Sequence, residues 1–330
     1  MYESPVTQHN LLQVENENMG SSEKILKSIY LDWNIFQDII QDRKDERLLE
    51  NLASARARGF VTPYSYAHMS DLARCGDLEY VDNDLRHVAR LSASKYIEMD
   101  ENHKNVHLVE VPPRMVLDHV RERNSKIPEQ QESSYDFPAY KVAIEAIPEG
   151  NLLLNYLNRF DGVMSPALMN CLIQDLQERG LDDYKLQRDF RNSFIEVIKI
   201  GNPAATELLN TPIYKYMFSS KDEIENNFLE IFEFHLGITG QCISTISEHD
   251  KFTIGYGILD FFPAFKEKIN KRNNMKNMLT DGLHVFIASK CRYLVCGDKG
   301  LIEKANLLYR VFEVDTRVYD VDTFTFKVHF

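Results

Sequence analysis

Three aspartates sit where short apolar runs end or where a helix is expected: Asp32 in Ser-Ile-Tyr-Leu-Asp-Trp-Asn, Asp281 in Leu-Thr-Asp-Gly-Leu-His, and Asp298 in Tyr-Leu-Val-Cys-Gly-Asp-Lys. A buried carboxylate is costly unless something positive neutralises it. Two of the three close β-branched and aromatic runs, Ile29 to Leu31 and Tyr293 to Val295, which is where parallel strands of an open α/β sheet present their ligand-binding residues. If the two strands are neighbours, the carboxylates converge at one sheet edge, and Asp71 reaches them from a helix after the second strand. A cluster of hard oxygen ligands without a Cys or His partner suits Mg²⁺ or Mn²⁺. Such an ion orients a water, lowers its pKa and neutralises charge developing on a phosphodiester. The chemistry expected is therefore metal-assisted hydrolysis. Asp32, Asp281 and Asp298 are the primary ligands, and Asp71 is a ligand or a water-orienting base.

Three further residues support that cluster. Asn34 either bonds the metal-bound water or turns the chain, while His68 and His284 read as core hydrogen-bonding groups behind the acids. His103 and His107, four apart, fall in an expected hairpin, which weakens any zinc reading. Just before Asp281 runs Lys266-Glu-Lys268-Ile-Asn-Lys271-Arg272-Asn-Asn-Met-Lys276, with five cations and one anion. Most charge runs are solvated faces, but beside an acidic site Lys268, Lys271, Arg272 and Lys276, with Lys299 next to Asp298, are the expected phosphate contacts.

The elements that would carry these side chains are legible in part. Residues 28–32 read as a buried strand, 39–58 as one helix ending at Gly59, 60–62 as a second strand, and 64–73 as a helix bearing His68 and Asp71. Lys95–Met99 and Val106–Val111 read as a hairpin. Then come helices opened by Ser165-Pro166, by Asp183 and by the Ser220–Glu223 capping box. Thr280 is expected to cap a helix to about Lys290, placing Asp281 in its first turn, where the helix N-terminus favours negative charge. A strand over 292–295 and a helix over 302–308 follow. Phe324, Phe326, Val328 and Phe330 alternate as a final strand with one buried face. The fold class is α/β: a Rossmann-like parallel sheet over 24–90 and 277–330, interrupted by a mainly helical insertion over 91–276 and preceded by a loose arm over 1–23.

At 330 residues and 44% apolar side chains, the chain has an ordinary globular balance. Five cysteines, without a C-x-x-C pair, support neither a disulfide framework nor a zinc ribbon and point to a reducing compartment. No apolar stretch is long enough to span a bilayer, and the polar N-terminus is not a signal peptide, so the expected location is the cytoplasm and no membrane partner is expected. A net charge of −12 argues against coating nucleic acid through the overall field and leaves room for a local basic stripe.

Ile-Tyr-Leu-Asp32-Trp-Asn34, Thr-Pro-Tyr-Ser-Tyr-Ala-His68-Met-Ser-Asp71, and above all Asp281-Gly-Leu-His284-Val-Phe-Ile-Ala288 followed by Tyr-Leu-Val-Cys-Gly-Asp298-Lys-Gly-Leu301 resemble the PIN-domain nucleases, metal-dependent ribonucleases that include many bacterial toxins. The resemblance covers about 24–90 and 277–330. It implies a Rossmann-like sheet with an acidic metal site at its C-terminal edge, and single-stranded RNA as substrate. The expected activity is a Mg²⁺- or Mn²⁺-dependent endoribonuclease, with a toxin or host-defence effector as one setting. An inactive binding or scaffold protein and a structure-selective DNA nuclease stay open beside it. The insertion is the expected surface for an inhibitor, a regulatory partner or a second copy of the chain.

Overall fold

The computed structural model describes residues 26–100, 106–125, 139–179, 183–200, 211–270 and 274–330. The arm expected over 1–23, and His103, Lys271 and Arg272, lie outside them.

Strand β1 (Leu26–Leu31) is buried from Ser28 to Leu31, and helix α1 (Trp33–Ile40) starts at once, because Asp32 is extended and its carboxylate accepts the Trp33 N–H. The helix expected over 39–58 is broken near its start: it holds only the last two residues of α1 and, after a gap, a second helix. Asp42 has φ +53°, a left-handed conformation that cannot continue a right-handed helix, and Asp45 caps the second, α2 (Glu46–Ala57). Gly59, at φ +81°, ends α2 as expected. Residues 60–62 contribute only a parallel bridge between Ser28 and Val61. Helix α3 (Tyr66–Leu72) carries His68 and Asp71. Helix α4 (Leu78–Ser92), absent from the sequence reading, is capped by Asp77 and buries Val81, Leu85 and Val88. The expected hairpin is present as β2 (Lys95–Met99) and β3 (Val106–Glu110), antiparallel, followed by α5 (Pro113–Ser125).

Short strands β4 (Tyr140–Lys141) and β5 (Val163–Met164) pair antiparallel around α6 (Leu152–Arg159). Next come α7 (Pro166–Arg179) and α8 (Tyr184–Ile200), near their expected bounds, then α9 (Pro212–Tyr216). Ser220 accepts the Glu223 N–H as expected, but Asn227 splits the single helix foreseen there into α10 (Lys221–Asn226) and α11 (Phe228–Ile238). Helices α12 (Glu248–Phe261) and α13 (Met275–Ala288) lead into β6 (Cys291–Cys296), α14 (Lys299–Val311), β7 (Arg317–Asp320) and α15 (Val321–Lys327). Of the final strand expected over 324–330, residues 324–327 are thus helix and the rest is not strand. Asp320 accepts the Thr323 N–H, and Val321, Phe324 and Thr325 are buried at helical spacing, which outweighs the alternation of the phenylalanines.

The sheet is parallel, in the order β1-β6-β7. Leu31 lies opposite Val295, and the Asp32 N–H donates to the Val295 carbonyl at 2.9 Å, so β1 and β6 end at the same edge. The described residues form two compact units. One takes those within Met1–Ile127, Ser247–Phe252 and Leu283–Phe330; the other takes those within Pro128–Ile246 and Thr253–Gly282. The division falls inside α12 and α13. The hairpin and α5 therefore go with the sheet, although the sequence reading put them in the insertion. The first unit has a core that includes Leu31, Phe36, Leu48, Val88 and Phe324; the second has its own around Leu153, Leu157, Leu168 and Phe190.

Candidate functional site

At or within two residues of its end, each strand of the three-stranded sheet has an aspartate that caps the next helix. Asp32 accepts the Trp33 N–H at 2.8 Å, Asp298 the Leu301 N–H at 3.0 Å and Asp320 the Thr323 N–H at 2.8 Å. A helix cap is satisfied at the surface and needs no burial, and Asp298 and Asp320 are exposed. Asp32 is not: only 3% of it is accessible. Burial, more than any neighbour, raises its pKa; His284 pulls the value down and Asp71 pushes it up. The Asn34 amide donates to the other Asp32 oxygen at 3.2 Å, so Asn34 steadies this carboxylate. The Trp33 ring stacks near Phe36 and stands edge-on to His68, its centroid 6.4 Å from each.

Behind Asp32 a chain of polar contacts runs through the core of the first unit. His68 Nε2 meets the Leu31 carbonyl at 2.7 Å, and its Nδ1 meets the Ser65 Oγ at 2.9 Å and accepts the Ser65 backbone N–H at 3.0 Å. The Ser65 Oγ lies 2.8 Å from the Tyr30 hydroxyl, which lies 2.7 Å from His284 Nδ1. His284 Nε2 closes the chain on Asp71 Oδ2 at 2.9 Å. Tyr30, Ser65, His68 and His284 are all 0% accessible. Burial first, then the neighbouring His284, pushes the His68 pKa well below its usual value, and burial raises that of Tyr30. Asp71 keeps part of its side chain in solvent and pairs with Arg74 at 3.4 Å. The sequence reading placed His68 and His284 behind the acids but missed Tyr30 and Ser65. A tyrosine inside a buried strand needs a partner for its hydroxyl, and Ser65 stands three residues before His68, the spacing of a capping pair.

Other expected residues are dispersed. Asp281 lies well inside α13, not in its first turn, because the helix starts at Met275, where the Met275 N–H donates to Gln187 at 2.8 Å and Asn274 accepts the Asn277 N–H at 3.2 Å. It is half-buried, one turn before His284, on the part of α13 that belongs to the second unit. The helix N-terminus therefore does not favour its charge. Lys268 is exposed and Lys276 half-buried, both in the second unit; Lys299 is exposed in the first turn of α14.

No family model, curated protein or solved structure matches this chain. The reading of the site rests on its own geometry. Among the described residues, no group of three or more His, Cys, Asp and Glu side chains is arranged to hold a metal ion. The carboxylates are instead engaged one by one, Asp32 and Asp298 by backbone N–H groups and Asp71 by His284 and Arg74. What the arrangement offers is a buried carboxylate with raised proton affinity, next to a partly exposed carboxylate backed by an imidazole, at the C-terminal edge of a parallel sheet.

Proposed function

We propose that the chain is a phosphodiester hydrolase acting on single-stranded RNA, with its chemistry at the edge where β1 and β6 end. The observation that carries the reading is Asp32. A cap needs no burial, so a carboxylate buried where ligands meet parallel sheets does more than hold a helix. Raised proton affinity suits it to take a proton from an attacking water. Asp71 at the same edge, held by His284, orients that water. The resemblance to PIN-domain nucleases supports this reading and assigns Mg²⁺ or Mn²⁺ to Asp32, Asp71, Asp281 and Asp298. The described carboxylates do not fit one coordination set.

Cleavage of labelled single-stranded RNA and DNA, with and without Mn²⁺, decides the matter. Asparagine caps helices as well as aspartate, so Asp32→Asn and Asp298→Asn separate chemistry from capping. Asp32→Asn is expected to slow cleavage about 10²- to 10⁴-fold, the usual contribution of a general base. A second reading is favoured by the engagement of each carboxylate as a cap or ion pair: a sheet retained as a binding or scaffold module. Wild-type protein that cleaves neither polymer in Mn²⁺ establishes that reading and removes the first.

A further inference from the structure

We infer that Tyr30 is a positioning residue: its buried hydroxyl donates to Nδ1 of His284 and fixes that ring so that its Nε2–H points at Asp71. The direction follows from a count of protons. The chain ends at the Leu31 carbonyl and the Asp71 carboxylate, and both only accept. His68 must therefore carry its proton on Nε2 and His284 must carry one on its own Nε2. A neutral imidazole has a single N–H, so Nδ1 of His284 is an acceptor, and the atom within reach is the Tyr30 Oη, 2.7 Å away. Two imidazoles, Ser65 and Tyr30 supply four protons to five contacts. The contact that can lack one is that of the Ser65 Oγ with His68 Nδ1, because this nitrogen already accepts the Ser65 backbone N–H. Ser65 is then free to donate to Tyr30, and every donor from Ser65 onward points toward Asp71.

The opposite direction, with His284 donating to Tyr30 and Tyr30 to Ser65, puts a bare Nε2 lone pair against Asp71 unless the ring holds a second proton. Burial leaves little room for the Tyr30 ring to swing, since it is fully enclosed, and its centroid lies 4.8 Å from that of His68 and 5.7 Å from that of His284. The hydroxyl therefore acts on the sheet edge through His284 and does not touch the reacting atoms. Its effect on rate rests on the hydrolase reading above; the hydrogen-bond direction does not.

The test is nitrogen NMR of the full chain with ¹⁵N-labelled histidine, the His284 signals being assigned by their loss in His284→Gln. Wild type should show a proton on Nε2 of His284 and none on Nδ1, with Nδ1 hydrogen-bonded. Tyr30→Phe should shift the Nδ1 signal to that of an unbonded acceptor, while Ser65→Ala leaves both His284 nitrogens unchanged. A proton on Nδ1 in wild type, or a Tyr30→Phe spectrum identical to wild type, overturns the inference. Should Tyr30→Phe fail to fold, the wild-type and Ser65→Ala spectra decide. On RNA, Tyr30→Phe should lower kcat roughly ten- to a hundredfold with little change in KM, as expected when a reacting group is displaced slightly. Wild type without cleavage but with the expected spectrum removes the hydrolase reading and leaves the positioning intact.

Discussion

Asp32 combines two features whose energetics oppose each other. Capping α1 stabilises the fold, whereas holding a carboxylate at 3% accessibility costs free energy whenever it is ionised. Since burial raises its folded pKa above the unfolded one, the stability linked to this group is fully present below the unfolded pKa and is lost as pH rises through the folded pKa. Asp32→Asn keeps an oxygen for the Trp33 N–H and removes the charge. It should melt above wild type at neutral pH, by on the order of 1 kcal/mol, because the cost of burying the charge is gone. The gap should close as pH is lowered into the carboxylate range. A pH series of melting curves checks this; a gap independent of pH would show that ionisation of Asp32 carries no cost. At Asp320 the hydrogen bonds from Thr323 instead hold the carboxyl below its usual range, so Asp320→Asn should show no such gain.

At the level of elements, the end of α15 is tied to α2 by a side chain as well as by its buried face. Asn51 of α2 donates to the carbonyls of Phe324 at 2.9 Å and Val328 at 2.8 Å, satisfying acceptors that the end of a short helix leaves open. Asn51→Ala should cost about 1–3 kcal/mol and raise amide exchange in α15 before that in β6; uniform exchange across both would contradict a local fastening. This attachment also explains why the end of the chain was misread. Phe324, Phe326, Val328 and Phe330 alternate like a strand, while the signals for the helix were a single capping aspartate and a carbonyl-binding asparagine 273 residues away from Phe324. Elements with strong local signals were legible: β1, β6, the hairpin, α7 and α8. Most of helix α1 was missed, and its last two residues were joined to α2 because the break depends on the left-handed Asp42, which no glycine announces. In the site, Asp32 and the histidines were legible by residue type. The link from Tyr30 to His284 spans 254 residues, and no local pattern encodes such a contact. Asp281 was placed in a first turn because Thr280 resembles a cap; in the fold its hydroxyl instead donates back to the Lys276 carbonyl at 3.0 Å.

Across the whole chain, the two units settle their buried polar groups differently. The first strings hydroxyls and imidazoles together; the second buries an ion pair, Arg191 of α8 with Asp260 of α12, and Arg191 also donates to the Glu267 carbonyl while Asp260 accepts the Glu267 N–H at 3.0 Å. Removing one partner of a buried pair strands the other charge. Arg191→Ala should therefore destabilise by about 3–5 kcal/mol, and the double change Arg191→Met with Asp260→Leu should recover most of that loss. Denaturant titration of the three proteins makes the comparison; equal losses in the single and double variants would mean that packing, and not the stranded carboxylate, sets the cost.

Trp33 is the chain's one tryptophan, and its position makes it an optical probe of the sheet edge. Its backbone N–H is held by Asp32 and its ring stands edge-on to His68, so excitation of the indole lights a single place in 330 residues. A cation drawn to Asp32, or an RNA base stacking at the edge, would change the polarity around that ring or the collisional quenching it experiences, and emission would shift in colour or yield without any attached label. Titrations of Mn²⁺ and of oligonucleotides can thus be followed on unmodified protein, and the loss of such a response in Asp32→Asn would separate an event at this edge from binding elsewhere.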